Sequence, residues 1–122
     1  MQFTRDPVSA VTIRQVDRGS IRIGSQDFDH SIVVTAESVL CDWPEIGVDN
    51  LNIDDLQEIL SLNPDVLILG TGWQPVFPPR DLTFAMARRG IGFEVMDTPA
   101  ACRTFNILIA EGRNPAAVLI ID

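Results

Sequence analysis

Apolar positions in the second half of the chain fall into three short, almost unbroken runs, separated by two stretches of helical period. Val66-Leu67-Ile68-Leu69-Gly70, Gly92-Phe93-Glu94-Val95-Met96 and Ala117-Val118-Leu119-Ile120-Ile121 read as strands. Between them, Arg80 to Arg89 and Pro99 to Glu111 repeat apolar residues three and four apart, the spacing of an amphipathic helix. An unbroken apolar run has no polar side to turn to water, so the first and third strands need cover on both faces. Strand, helix, strand, helix, strand predicts parallel strands with helices packed on them.

The first third follows a different rule. From Ala10 to Thr35 the period is two: Val11 and Ile13 alternate with Thr12 and Arg14, and Ile21 and Ile23 flank Arg22. Asp17-Arg18-Gly19 supplies a hairpin turn. After the polar link Ser25 to Asp29, Ile32-Val33-Val34 reads as a further strand, so the stretch is expected to be a half-buried antiparallel meander. Residues 1–9 read as a loose arm. Val39-Leu40-Cys41 is a short apolar stretch ending at Asp42-Trp43-Pro44, with loop to Asn50.

A first helix is predicted over Ile53 to Leu62, capped by Asn52, with Asp54 and Asp55 in the first turn where the helix dipole favours negative charge. Asn63-Pro64 stops it. In the second helix Leu82, Ala85 and Met86 face inward and Phe84 lies opposite. In the third, Thr98 is the expected N-cap, Pro99 the first helical residue and Gly112 the stop. Ala101, Phe105, Leu108 and Ile109 form its buried stripe, and Arg103, Asn106, Ile107 and Ala110 face the other way. The expected architecture is one α/β domain over residues 1–122. It has three layers around a central mixed sheet, a βαβαβ half over 64–122 and an extra β-rich N-terminal layer over 1–45.

Composition narrows the function classes. A chain of 122 residues, 46% apolar, can bury a core without staples. Seventeen acidic residues against nine arginines and no lysine give a net charge of −8, which opposes nucleic acid and anionic membrane surfaces. The absence of lysine excludes a P-loop phosphate lysine and Schiff-base chemistry. No apolar run approaches a membrane span, and the opening residues show no export or transit pattern. No membrane insertion and a cytoplasmic setting are therefore expected. Cys41 and Cys102 form no C-x-x-C pair, and with the single His30 they supply only three of the four ligands of a structural zinc. Both read as core residues, and no metal, cofactor or catalytic residue is assigned.

Two constellations remain. Parallel strands would bring Gly70-Thr71-Gly72-Trp73, Asp97-Thr98 and Asp122 to one sheet edge, where open α/β sheets place binding crevices. The candidate ligand crevice is Gly70, Thr71, Gly72, Thr98 and Asn106. It is not a dinucleotide fingerprint, since the third glycine is missing, and no G-x-S-x-G elbow occurs. Glu94, set between Phe93 and Val95, is the carboxylate expected to be buried, with Arg103 as a partner. The second constellation is a candidate partner patch of Trp73, Phe84 and Ile107.

The segments Val66–Gly72, Gly92–Thr98 with Ala101 and Thr104–Leu108, and Glu111-Gly112-Arg113 together resemble a small domain family. That family includes mitochondrial complex I assembly factor 3, the adipogenesis-associated domain protein and many uncharacterised prokaryotic proteins. The N-terminal hairpin and Asp42-Trp43 also suit it, so the resemblance covers nearly the whole chain. It implies a three-layer α/β fold with an added β layer, no cofactor, and action through protein contacts. The functional expectation is a non-enzymatic binding or assembly-factor-like domain with a protein partner or a second copy of itself. The alternative is a small-molecule-binding domain or small enzyme using the crevice.

Overall fold

The computed structural model describes residues 12–40 and 43–122. The expected arm, Val11, Cys41 and Asp42 lie outside them. Among the described residues, eight strands form two sheets. β1 (Ile13–Asp17), β2 (Ser20–Ile23) and β3 (Gln26–Phe28) make a three-stranded antiparallel sheet. β4 (Ile32–Thr35), β5 (Val39–Leu40), β6 (Val66–Gly70), β7 (Gly92–Met96) and β8 (Pro115–Leu119) make a five-stranded mixed sheet in the order β5-β4-β8-β6-β7. Helix α1 (Gln57–Leu60) is continuous with a 3-10 segment, Ile53–Leu56; α2 (Arg80–Arg88) and α3 (Thr98–Ala110) are the two crossovers.

β6 pairs in parallel with both β7 and β8, as the βαβαβ pattern requires. Its residues alternate between two cores. Val66 and Ile68 face one with Ala101, Phe105 and Ile109 of α3; Leu67 and Leu69 face the other with Leu82 and Met86 of α2. Both faces of the sheet are therefore covered, α3 on one side and α1 with α2 on the other. The β1–β3 sheet shares the α3 side, its Ile13, Ile21, Ile23 and Phe28 joining that core.

Four local expectations change. The link Ser25 to Asp29 contains a strand, β3, because Phe28 can reach the core while Arg22 and Asp27 pair across the exposed face at 2.9 Å. Ile32–Thr35 leaves the meander and pairs antiparallel with β8 in the central sheet. The last strand starts two residues earlier than its apolar run, at Pro115, opposite Val66; Ile120 and Ile121 lie past its end and are half-buried. Thr98 is not the cap of α3: the Asp97 carboxylate accepts from the Ala100 N–H at 2.8 Å, placing Pro99 in the first turn. Asn52 does cap its helix, in a reciprocal capping box with Asp55.

Candidate functional site

The carboxyl ends of β6, β7 and β8 meet at one rim, and their polar groups bond to one another. The Thr98 hydroxyl accepts from the Gly72 N–H at 2.8 Å and donates to the Ile120 carbonyl at 2.7 Å. Thr98 N–H donates back to the Gly72 carbonyl, Ile120 N–H to the Gly70 carbonyl, and Thr71 N–H to the Met96 carbonyl. Thr71 turns its hydroxyl into its own loop, donating to the Gln74 carbonyl at 2.7 Å and accepting from the Val76 N–H. Thr71 and Thr98 are both 4% exposed.

The two glycines are there for space. A Cβ on Gly70 would stand 3.0 Å from Ala101 Cβ and from the Thr98 hydroxyl, where α3 crosses the strand end. Gly72 has φ +99°, and a Cβ there would collide with the Asp122 carboxylate. That carboxylate accepts from the Trp73 N–H at 3.0 Å, and the Asp122 carbonyl accepts from the Gly19 N–H, tying the chain end to the β1–β2 turn. The hollow left between these groups is about 10 Å³. A larger one, about 340 Å³, opens beside the rim against Ser31, Trp43, Glu45, Thr71 and Val76.

Gly70, Thr71, Gly72 and Thr98 are thus brought together, but Asn106 is not among them. It sits two turns along α3, where its side-chain oxygen accepts from the Ile13 N–H at 3.0 Å and its amide donates to the Ile13 carbonyl at 2.8 Å. Asn106 therefore holds β1 against α3. The partner-patch residues are also apart. Trp73 is half-buried at the rim with the Arg18 guanidinium 5.8 Å from its ring centroid; Phe84 lies on α2 and Ile107 on α3, on opposite sides of the sheet. Ile107 is 57% exposed. Glu94 is exposed, because β7 is an edge strand and not a covered one, and it forms no ion pair with Arg103.

A second concavity was only half visible beforehand. Phe77, 85% exposed, and Phe84, 55% exposed, stand over Phe93 and Val95 of β7, with Arg80 and Thr83 completing a groove of about 720 Å³. Sequence reasoning found Phe84 from helical phase and missed Phe77. The available signal was an aromatic residue inside a proline-rich loop too stiff to fold it inward, Gln74-Pro75-Val76-Phe77-Pro78-Pro79.

On the buried side, desolvation pushes the Cys102 thiol from 9.0 up to about 12, with Arg103 acting weakly in the opposite direction. A thiol so placed is a core group and not a nucleophile. Among the described residues no three His, Cys, Asp or Glu side chains converge to hold a metal ion, and no helix is long and apolar enough to cross a membrane.

A family model described as protein of unknown function (DUF498/DUF598) matches residues 13–120. The 13 kDa major membrane protein of Francisella tularensis subsp. holarctica is 26% identical over 111 residues, 90% of each chain. NADH dehydrogenase (ubiquinone) 1 alpha subcomplex assembly factor 3 of Danio rerio is 38% identical over 80 residues, 64% of this chain and 46% of the relative. The chain thus spans less than half the length of that relative. The solution structure of a Mth938-like domain from Bordetella pertussis superposes with a TM-score of 0.78 at 28% identity, covering 100% of this chain and 93% of the other.

Proposed function

The chain belongs to the DUF498/DUF598 family of proteins of unknown function, and from that premise we propose that it is a non-catalytic protein-contact module that works as an assembly factor. The observation that carries this reading is the groove. Phe77 and Phe84 hold large apolar surface in water beside a sheet edge, an arrangement that burial against another polypeptide would satisfy. The rim, by contrast, directs its hydroxyls and backbone groups at one another. The name of the Danio rerio relative supports the assembly role. The reading keeps the cytoplasmic setting expected from the sequence, and a membrane-bound partner would accommodate the name of the Francisella relative.

The test is replacement of Phe77 and Phe84 by Ser at native expression in the host. Both side chains are exposed, so the thermal midpoint should stay within about 3 °C of the parent. On native gels the parent should migrate with a larger assembly, and the double variant should be released from it. A parent that migrates alone, or a variant that stays with the assembly, refutes the reading.

A further inference from the structure

We propose that the groove between α2 and β7 receives an extended acidic segment of the partner, which adds to the free edge of β7 and lengthens the five-stranded sheet by one strand. This rests on the protein-contact reading above and specifies its site and the chemistry of its partner.

Three observations converge on that edge. First, β7 closes the order β5-β4-β8-β6-β7 and pairs only with β6, so among the described residues its other edge presents backbone N–H and C=O groups with no strand beside them. Such an edge is a ready template for another strand. Second, an apolar groove lies at this edge: Phe93 and Val95 form its floor, and Phe77, Thr83 and Phe84 its wall. A strand laid beside β7 would direct alternate side chains into it. Third, the charge is inverted locally. In a chain of net charge −8, three of the nine arginines fall between Arg80 and Arg89, and none of Arg80, Arg88 and Arg89 has an ion-pair partner among the described residues. Arg80, Phe84 and Arg88 recur every fourth residue and so share one outward face of α2.

The geometry sets the pattern of the segment. Arg80 and Arg88 are eight residues apart, about 12 Å along the helix. In a strand that distance is about four residues, and residues four apart project from the same face. The partner motif is therefore acid-x-apolar-x-acid, with the apolar residue seated against Phe77 and Phe84 and the two carboxylates paired with Arg80 and Arg88.

A second copy of this chain fits poorly. Two-fold antiparallel pairing of Gly92–Met96 with itself sets Glu94 opposite Glu94, and brings two arginine-bearing helix faces together. The exposed Glu94 thus discriminates against self-pairing and leaves the edge to a different chain.

The probe is a terminally blocked heptapeptide, Thr-Glu-Thr-Leu-Thr-Glu-Thr, titrated into the folded protein and followed by amide chemical shifts. The expected result is binding that perturbs Gly92–Met96 and α2. Affinity should drop about tenfold or more in the Arg80→Glu/Arg88→Glu variant, since each lost pair is a charge-assisted one. It should return when the peptide glutamates are replaced by arginine. Methylating the peptide nitrogens that face β7 removes the edge hydrogen bonds and should abolish binding. No binding up to millimolar peptide, perturbations away from β7, indifference to charge reversal, or equal binding of the methylated peptide each overturns the proposal. So does a free chain that sediments as a dimer with its β7 amides already protected from exchange, because the occupant is then a second copy. If the methylated peptide binds equally while Phe77→Ser/Phe84→Ser still releases the chain from its native assembly, the protein-contact reading stands and strand addition alone falls.

Discussion

Thr98 and Cys102 lie one helical turn apart on α3 and show how much one side chain can decide. The Thr98 hydroxyl satisfies two buried backbone groups that belong to different strand ends, the Gly72 N–H and the Ile120 carbonyl. Thr98→Val keeps the shape and orphans both groups, at about 1–3 kcal/mol each. Thr98→Ser should cost well under half as much, because it keeps the hydroxyl. Urea unfolding of the two variants checks this, and equal losses would mean that packing, not hydrogen bonding, is what Thr98 contributes. Cys102 gives a pH signature. Its folded-state pKa, about 12, lies above the ordinary 9.0, so the unfolded thiol ionises first. Its contribution is fully present below pH 9 and is lost as pH rises from there toward the folded value, by up to about 1.4 kcal/mol per pH unit. The chain has no lysine and no tyrosine to obscure that range. In a Cys41→Ser background, stability should fall between pH 9 and 11, and Cys102→Ala should flatten the fall. An unchanged slope in Cys102→Ala would show that the thiol is not its source.

At the scale of elements, what could be read in the chain was whatever local pattern decides. β6 and β7 stand where their apolar runs put them, and α2 and α3 end within a residue of their periodic stretches, because Gly90 and Gly112 cannot carry a packed face onward. β3 was not legible: Gln26-Asp27-Phe28 is polar on one side and becomes a strand only because β2 offers it an edge. The end of β8 was not legible either. Ile120 and Ile121 are as apolar as the strand before them, yet Ile121 N–H bonds to the Ser31 hydroxyl and not to a neighbouring strand. The cap of α3 was ambiguous in the chain because Asp97 and Thr98 are both good caps. Only the meeting of three strand ends, which no local pattern encodes, draws the Thr98 hydroxyl away from the helix. The groove follows the same logic. Its wall could be read in part from the phase of Phe84 on α2, but its floor exists because β7 is an edge, and edge position is a property of strand order.

On the scale of the whole molecule, the question is what joins the β1–β3 sheet to the rest. Four buried apolar side chains, Ile13, Ile21, Ile23 and Phe28, attach it to the α3 side of the core, each worth roughly 1.5–3 kcal/mol of burial. Among the described residues, polar groups attach it as well: the Asp122 carbonyl accepts from the Gly19 N–H, the Asn106 amide makes paired bonds to both backbone groups of Ile13, and the Arg18 guanidinium lies 5.8 Å from the Trp73 ring centroid. The Asn106 contact imitates the exchange of hydrogen bonds between paired strands, with a helix side chain in place of one strand. It also fixes register, since Ile13 then faces Ile23 across the hairpin and the core together. Asn106→Ala leaves both Ile13 groups unpaired at the sheet edge, and should cost about 1–3 kcal/mol. The loss should be uneven. Amide exchange in β1 and β2 should speed up well before exchange in β6 and β8, because the central sheet keeps both its covering helices and its parallel ladders. If the variant instead speeds exchange equally in both sheets, then the N-terminal layer and the central sheet unfold as one unit, and the Asn106 contact is a bond within a single cooperative body and not a hinge between two.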